Sequence, residues 1–410
     1  MTEFRSGGVR LRQLSVVEEG EEVLVGDPVA GTFVSMPAVG GVVIAALQRG
    51  LTLEETATEA EAFAGQPVNI PSFVETLRDL GFVDDGSTAE PVRTAPIQNA
   101  RWLRGVSSAV VRPLFGRVAW TAYAACALFA VAMFALHPAL VPRPADDAFV
   151  FSDIGASALL LVPFAMAAVA LHEAGHWLGA RACGIEARFG VDRRMVLLVF
   201  ETDLTQVWTL PRKQRYGPLL AGLAADAVVL AGLLGARLLI RTACWTPPGV
   251  VDSLLAAWVF IKVTQILWQC MVFLRTDLYA VLVNTLGCRD LWRVKSLMLR
   301  RAFGRLSAGE VAELAAAAPA DVRAGRWFRW VWLSGFVGVS AWFALLVVPV
   351  AWRVVTWAAH GLATGPLTGE FWYSLLCAGL VLGPESLAAG LATRDMLRRV
   401  RSAAVADSHK

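Results

Sequence analysis

Six apolar runs, each about as long as a bilayer is thick, constrain this chain more than any other feature. They cover residues 119–139, 153–178, 217–240, 252–274, 329–350 and 371–392. About 20 apolar residues in a helix cross the ~30 Å hydrocarbon layer. In that layer only a helix or a closed barrel satisfies every backbone N–H and C=O. The expected fold is therefore mainly α, a polytopic membrane helical bundle of about six transmembrane helices. Composition agrees. Of 410 residues, 56% are hydrophobic and 17% charged, against about a quarter charged in soluble proteins.

Basic residues orient the spans, because cytoplasmic loops retain Lys and Arg. The connections 140–152 and 351–370 carry one Lys or Arg each, Arg143 and Arg353, and 242–251 carries none. The segment 179–216 holds Arg181, Arg188, Arg193, Arg194, Arg212, Lys213 and Arg215, 275–328 is more basic still, and the tail 395–410 holds Arg398, Arg399 and Arg401. Both termini are expected on the cytoplasmic side of a bacterial inner membrane. The polar residues 1–20 offer no cleavable signal peptide, so the first span is expected to act as its own insertion signal. The six cysteines are scattered without a C-x-x-C pair, which reads as reduced, packed thiols.

Residues 1–95 are expected to form a small α+β domain of winged-helix-like order. Short alternating runs between 11 and 34, around Gly26-Asp27-Pro28, suggest a hairpin or small sheet. A first helix fits 37–48. Thr52-Leu53-Glu54-Glu55 is a capping box opening a second, which ends near Gly65. Ile70, Phe73, Val74, Leu77 and Leu80 recur at helical spacing before Gly81, and Phe82-Val83 reads as a closing strand. The acidic helices (Glu54, Glu55, Glu59, Glu61, Glu75) offer no basic face, so nucleic acid is not an expected partner. A basic juxtamembrane linker, 96–118, leads to the membrane domain, 119–394.

The second span ends in Leu171-His172-Glu173-Ala174-Gly175-His176-Trp177, which holds two of the chain's five histidines. On a helix, His172 and His176 lie one turn apart on one face and can share a metal ion. Glu173 beside them can take a proton from a water that the metal acidifies. Ionisable groups at membrane depth are costly and tend to be functional. The second and fourth spans run in the same direction, so Asp277, just past the fourth, reaches the depth of the histidines. It is a candidate third ligand, or else a helix-end carboxylate paired with Arg275 or Arg289. Asp226, Lys262, Gln265, Gln269 and Glu385 also interrupt apolar spans. Lys262, Gln265 and Gln269 share a face, either lining a wet path to the metal or bracing the bundle through a pair such as Asp226 with Lys262. No phosphate-binding loop or serine-nucleophile motif is present.

His172-Glu173-Ala174-Gly175-His176 on the second span, with an aspartate beyond a later one, resembles the site-2 protease family of intramembrane zinc metalloproteases. "RTDLYAVLVNTLGCRDLW" is similar to the second motif of its peptide zinc metalloprotease branch, and "RYGPLLAGLAAD" to the alanine-glycine motif on its third core helix. The resemblance covers about residues 150–300. It implies Zn2+ held by His172, His176 and Asp277, with Glu173 as the catalytic base. It also implies strands within 191–210 that pair with an unwound substrate. Departures are Asp226, where many members have asparagine, and Leu278 after Asp277 in place of glycine.

The segment from Ala38 through "LQRGLTLEETATEAEAF" to "FVETLRDLGFV" resembles the PqqD-like family, also called the RiPP recognition element. Such domains add a precursor's leader as an extra strand at a sheet edge. Together the two resemblances imply an intramembrane endopeptidase that removes the leader of a ribosomally made, modified precursor peptide, as in daptide-type or bacteriocin clusters. The alternatives are a non-proteolytic export or immunity factor, and a regulatory protease acting on a membrane-bound anti-sigma factor.

Overall fold

The computed structural model describes residues 9–28, 30–84, 106–143, 147–194, 197–242 and 249–407. Arg101 and Arg104 of the expected linker, and most of the connection 242–251, lie outside them. The chain is mainly helical, with a small three-stranded sheet near its N-terminus.

That sheet is an antiparallel meander of β1 (Ser15–Glu19), β2 (Glu22–Asp27) and β3 (Thr32–Pro37), with Val16 opposite Val25 and Leu24 opposite Ser35. Of the two expected forms, hairpin or small sheet, the small sheet is the one present. The first turn uses Gly20 at φ 71°. The second is closed by Asp27, whose Oδ1 accepts the Ala30 N–H at 3.0 Å. The helices α1 (Ala38–Gln48), α2 (Leu53–Ala64) and α3 (Ile70–Asp79) follow as their end signals dictate. Thr52 and Glu55 exchange capping bonds at the start of α2, and Asn69 caps α3 by accepting the Ser72 N–H. Val23, Val25, Met36, Val43, Ile44, Leu47, Ile70, Val74, Leu77 and Phe82 make one core between sheet and helices.

The expected closing strand at 82–83 shrinks to a single bridge, Leu11 with Val83. Phe82 N–H returns to the Leu77 carbonyl and Gly81 N–H to that of Arg78, the Schellman ending of α3. These bonds consume donors that a longer strand would need.

Among the described residues, five helices are long and apolar enough to cross a membrane: α4 (Arg117–Leu136), α5 (Ile154–Ala182), α6 (Tyr216–Thr242), α7 (Gly249–Gln269) and a segment Pro319–Leu345. Their outward faces carry apolar side chains such as Leu128, Val131 and Leu239, each about two-thirds exposed, a surface suited to lipid. Inside, Ala130, Met133, Leu230, Leu234 and Val259 knit α4, α6 and α7 together. α5 and α6 approach most closely. A methyl added at Gly175 would lie 2.7 Å from the Ala221 carbonyl oxygen, and one at Gly179 would lie 2.9 Å from the Ala221 Cβ. The pair Gly175-x-x-x-Gly179 is the small-residue spacing that lets helix backbones touch in membranes.

Between α5 and α6 lies an antiparallel hairpin, β4 (Arg188–Arg194) and β5 (Leu197–Asp203). After α7 the chain makes a short 3-10 turn, Val272–Leu274, passes through Arg275 at φ 60°, and enters α8 (Asp277–Leu286), then α9 (Leu291–Ala302) and α10 (Ala308–Ala316). The end of the molecule departs from expectation. α11 (Pro319–Trp342) does not stop near 350. It passes through a π turn at Phe343–Val347 into α12 (Val348–Ala363), so the expected loop 351–370 is largely helix. Pro349 cannot donate to the preceding turn, and the π turn relocates the bonds that it breaks. The expected sixth span, 371–392, falls within α13 (Gly369–Asp407). Among the described residues its apolar stretch is Gly369–Gly383. The expected boundary at 394–395 lies inside this same helix.

The N-terminal unit rests on the helical one through ion pairs. Glu19 of β1 pairs with Arg215, and Glu22 of β2 pairs with Arg289. Arg215 is buried. It also donates to the Leu210 carbonyl at 2.8 Å and stacks over Trp208.

Candidate metal centre

Helical spacing puts His172 and His176 on the inner face of α5, and both are buried. The tight α5–α6 contact brings α6 against them. Three donor atoms converge. His172 Nε2 and His176 Nε2 stand 3.1 Å apart, and Asp277 Oδ2 lies 2.9 Å from the first and 3.0 Å from the second. Asp277 is the first residue of α8, and the turn after α7 folds it back over the histidines. Thr276 Oγ1 fixes that turn by donating to the Gln269 carbonyl at 2.7 Å.

The other ring nitrogens determine what this triangle is. His172 Nδ1 donates to Asp226 Oδ2 at 2.8 Å, and His176 Nδ1 donates to the Pro218 carbonyl at 2.8 Å. A carbonyl and a carboxylate can only accept, so both Nδ1–H groups point outward, and each ring in its neutral form turns its Nε2 lone pair inward. Two lone pairs and a carboxylate oxygen thus share one small buried space, an arrangement that calls for a cation at its centre. The donor set, two imidazoles and a carboxylate, is one that divalent zinc takes with a position left open. Ligands about 2.0–2.1 Å from a tetrahedral ion stand roughly 3.3–3.4 Å apart, so the triangle opens by only a few tenths of an ångström to admit one. Among the described residues, His172, His176 and Asp277 are the group of this kind.

Asp226 is shared. Its Oδ1 accepts from Lys262 Nζ at 2.8 Å while Oδ2 holds His172, and Lys262 is fully buried. The anticipated Asp226–Lys262 pair is present. Its role as the support of a metal-facing histidine was not legible in the sequence, although an aspartate one helix away at the same depth is the signal that marks it. The polar face of α7 divides three ways: Lys262 to Asp226, Gln265 to the Ala165 carbonyl of α5 at 3.3 Å, and Gln269 into the donor cluster. Asp277 meets the histidines rather than Arg275 or Arg289.

Glu173, one residue from His172, is partly buried, and its electrostatic neighbours are His176, His172 and Asp277. Thr202 Oγ1 of β5 donates to the Glu173 carbonyl at 3.0 Å, tying the hairpin to the motif. On the opposite wall α6 presents Gly222 with no side chain. A methyl there would sit 2.6 Å from His172 Nε2 and closer still to His176 Nε2. The role of Gly222 was also missed in the sequence. Glu385, noted in the last apolar run, has no side-chain description.

Comparison of the chain with family models, with curated proteins and with solved structures finds no match in any of the three.

Proposed function

We propose that this chain is an intramembrane zinc endopeptidase of the site-2 protease kind, and that it removes the leader of a ribosomally made, modified precursor peptide. The observation that carries the reading is the buried triangle of two inward-facing imidazole lone pairs and the Asp277 carboxylate, with the Glu173 carboxylate beside it. His172, His176 and Asp277 would hold the ion. Bound there, zinc would acidify a water and polarise a peptide carbonyl.

The remaining work falls to the chain's own groups. Glu173 accepts the proton of the attacking water and returns it to the departing amine nitrogen. Asp226 and the Pro218 carbonyl keep both histidines in the tautomer that leaves Nε2 free. A helical substrate shields its peptide bonds in its own hydrogen bonds and must be extended before attack. The β4–β5 hairpin, bonded to the Glu173 backbone through Thr202, supplies a strand beside the site against which an extended segment can pair.

The N-terminal unit supports the substrate assignment. β3 pairs on one side only within its sheet, so its outer edge can take a leader as a further strand. The start of β3 lies near the hairpin: a methyl on Gly31 would reach the Thr205 side chain at 3.4 Å. In this reading the protein sits in the bacterial inner membrane with both termini cytoplasmic, with α13 as a sixth crossing.

Purified full-length protein with zinc should cleave a cognate precursor at one bond. Chelation with 1,10-phenanthroline should stop it and added zinc restore it. Removing residues 1–95 should weaken precursor binding while leaving zinc content unchanged. Cleavage that persists after complete metal removal would overturn the assignment, and unchanged precursor affinity in the truncated protein would overturn the role of the N-terminal unit.

A further inference from the structure

A cavity of about 750 Å³ opens at the start of α5, between α12 and α13. Volumes of this order hold small ligands. At 1.5 Å per helical residue, Asp153 at its edge stands roughly 28 Å along α5 from His172, so the cavity is no part of the metal centre. Its walls fit closely. A methyl on Gly155 would lie 2.6 Å from the Tyr373 hydroxyl oxygen and 2.8 Å from the Trp357 ring, and one on Gly361 would overlap the Ser374 side chain. Trp357 and Tyr373 meet edge to face with their rings 5.9 Å apart.

The charges that face this space are unspent. On α12, Arg353, Trp357 and His360 recur at helical spacing and line one wall, while Glu370 and Tyr373 of α13 line another. Asp153 is occupied as the cap of α5: its Oδ1 accepts the Gly155 N–H at 2.7 Å and the Ala156 N–H at 3.3 Å. His360 Nδ1 donates to the Thr356 carbonyl at 2.7 Å, which leaves Nε2 open to the cavity. Among the described residues, neither the Arg353 guanidinium nor the Glu370 carboxylate has a hydrogen-bond or ion-pair partner, although both line the same cavity. Opposite charges that share a space without touching suit a ligand that carries both signs. The flanks of the same helices are apolar. Trp352 and Trp372 are more than half exposed, and Leu367 in the turn between α12 and α13 is fully exposed. A soluble zwitterion has no use for such flanks, whereas an amphiphile does, and indole rings favour the level of the headgroups.

We propose that this cavity binds the headgroup of one phospholipid that carries both a phosphate and a primary ammonium, as phosphatidylethanolamine does. Arg353 takes the phosphate oxygens through its forked N–H groups, with His360 Nε2 beside it. Glu370 accepts from the ammonium. The acyl chains run along Trp352, Leu367 and Trp372. A choline headgroup offers Glu370 no N–H, and a glycerol headgroup offers it no cation. The inference rests on the chain lying in a bilayer and is independent of the metallopeptidase reading.

Native mass spectrometry of the full-length protein, titrated in detergent with dioleoyl phosphatidylethanolamine, phosphatidylcholine or phosphatidylglycerol, tests this. The natural protein should hold one phosphatidylethanolamine about tenfold more tightly than either other lipid, the scale of a charge-assisted hydrogen bond. Glu370→Gln should lower phosphatidylethanolamine to the level of phosphatidylcholine and leave phosphatidylglycerol no weaker. Arg353→Gln should weaken all three about tenfold. Arg143→Gln, outside the cavity, is the control for charge alone and should match the natural protein. Neither Arg353 nor Glu370 has a side-chain partner in the fold, so both variants should keep the natural melting temperature and zinc content. No preference among the lipids in the natural protein, or an unchanged preference in Glu370→Gln, would overturn the assignment. Equal affinity for glycerophosphoethanolamine, the same headgroup without acyl chains, would make the occupant a soluble amine phosphate and overturn the lipid. Each of these failures leaves the metal centre and its proposed chemistry standing.

Discussion

Gly222→Ala adds one methyl group and should abolish metal binding. The new Cβ would lie 2.6 Å from His172 Nε2 and nearer to His176 Nε2. Uncrowded carbon–nitrogen contacts need about 3.4 Å or more, so roughly 1 Å must be found. The imidazoles cannot swing away without breaking their bonds to Asp226 and Pro218. Helix α6 cannot back off without opening its contact with Gly175 and Gly179. Overpacking of this kind costs about 1–3 kcal/mol of stability. The larger effect falls on the ligands, because a displacement of about 1 Å in two of three donors exceeds what outer-shell changes do, and those already cost about 10–100-fold in affinity. Zinc affinity should therefore fall by more than about 100-fold in competition with a chromophoric chelator. Gly232→Ala, on the same helix where nothing lies within 4 Å, is the control and should bind zinc normally. A Gly222→Ala protein that holds zinc within about threefold of the natural affinity would refute the placement of α6 against the histidines.

Asp226→Ala leaves the fully buried Lys262 without its partner and should cost about 3–5 kcal/mol, read as a lower melting temperature, with about 10–100-fold weaker zinc binding. Adding Lys262→Met should recover most of the stability and none of the metal affinity. Glu19→Ala strips the buried Arg215 of its carboxylate, so hydrogen exchange in β1 should rise while α5 and α6 stay protected; an unchanged β1 would contradict the docking. Zinc affinity should fall steeply as pH drops from about 7 to 5, because protons compete for the two imidazoles. A flat profile would mean that the histidines are not ligands.

Much of this architecture could be read from the residues in order. Bilayer-length apolar runs, the Thr52–Glu55 capping box and the one-turn spacing of His172 and His176 are local signals, and local hydrogen bonding obeys them. Asp277 was reachable through topology alone, since two spans of the same direction end at one depth. What escaped depends on helix rotation and closeness, which no single segment encodes. Asp226 supports His172 only because Gly175 and Gly179 let α6 approach. Gly222 matters for the side chain it lacks. Gln269 reaches the cluster because the chain doubles back through Arg275. The continuous α11–α12 rod was missed because the apolar run was taken to end near 350, whereas a π turn carries the helix past Pro349.

The most direct measurement is mass spectrometry of peptides from cells that carry the cognate precursor with either the natural protein or Glu173→Gln. The account predicts one defined cleavage product with the natural protein. With the variant, that product should vanish while the zinc content of the purified protein stays the same. Identical products in both would contradict it, because a protein that cuts without Glu173 does not use this site.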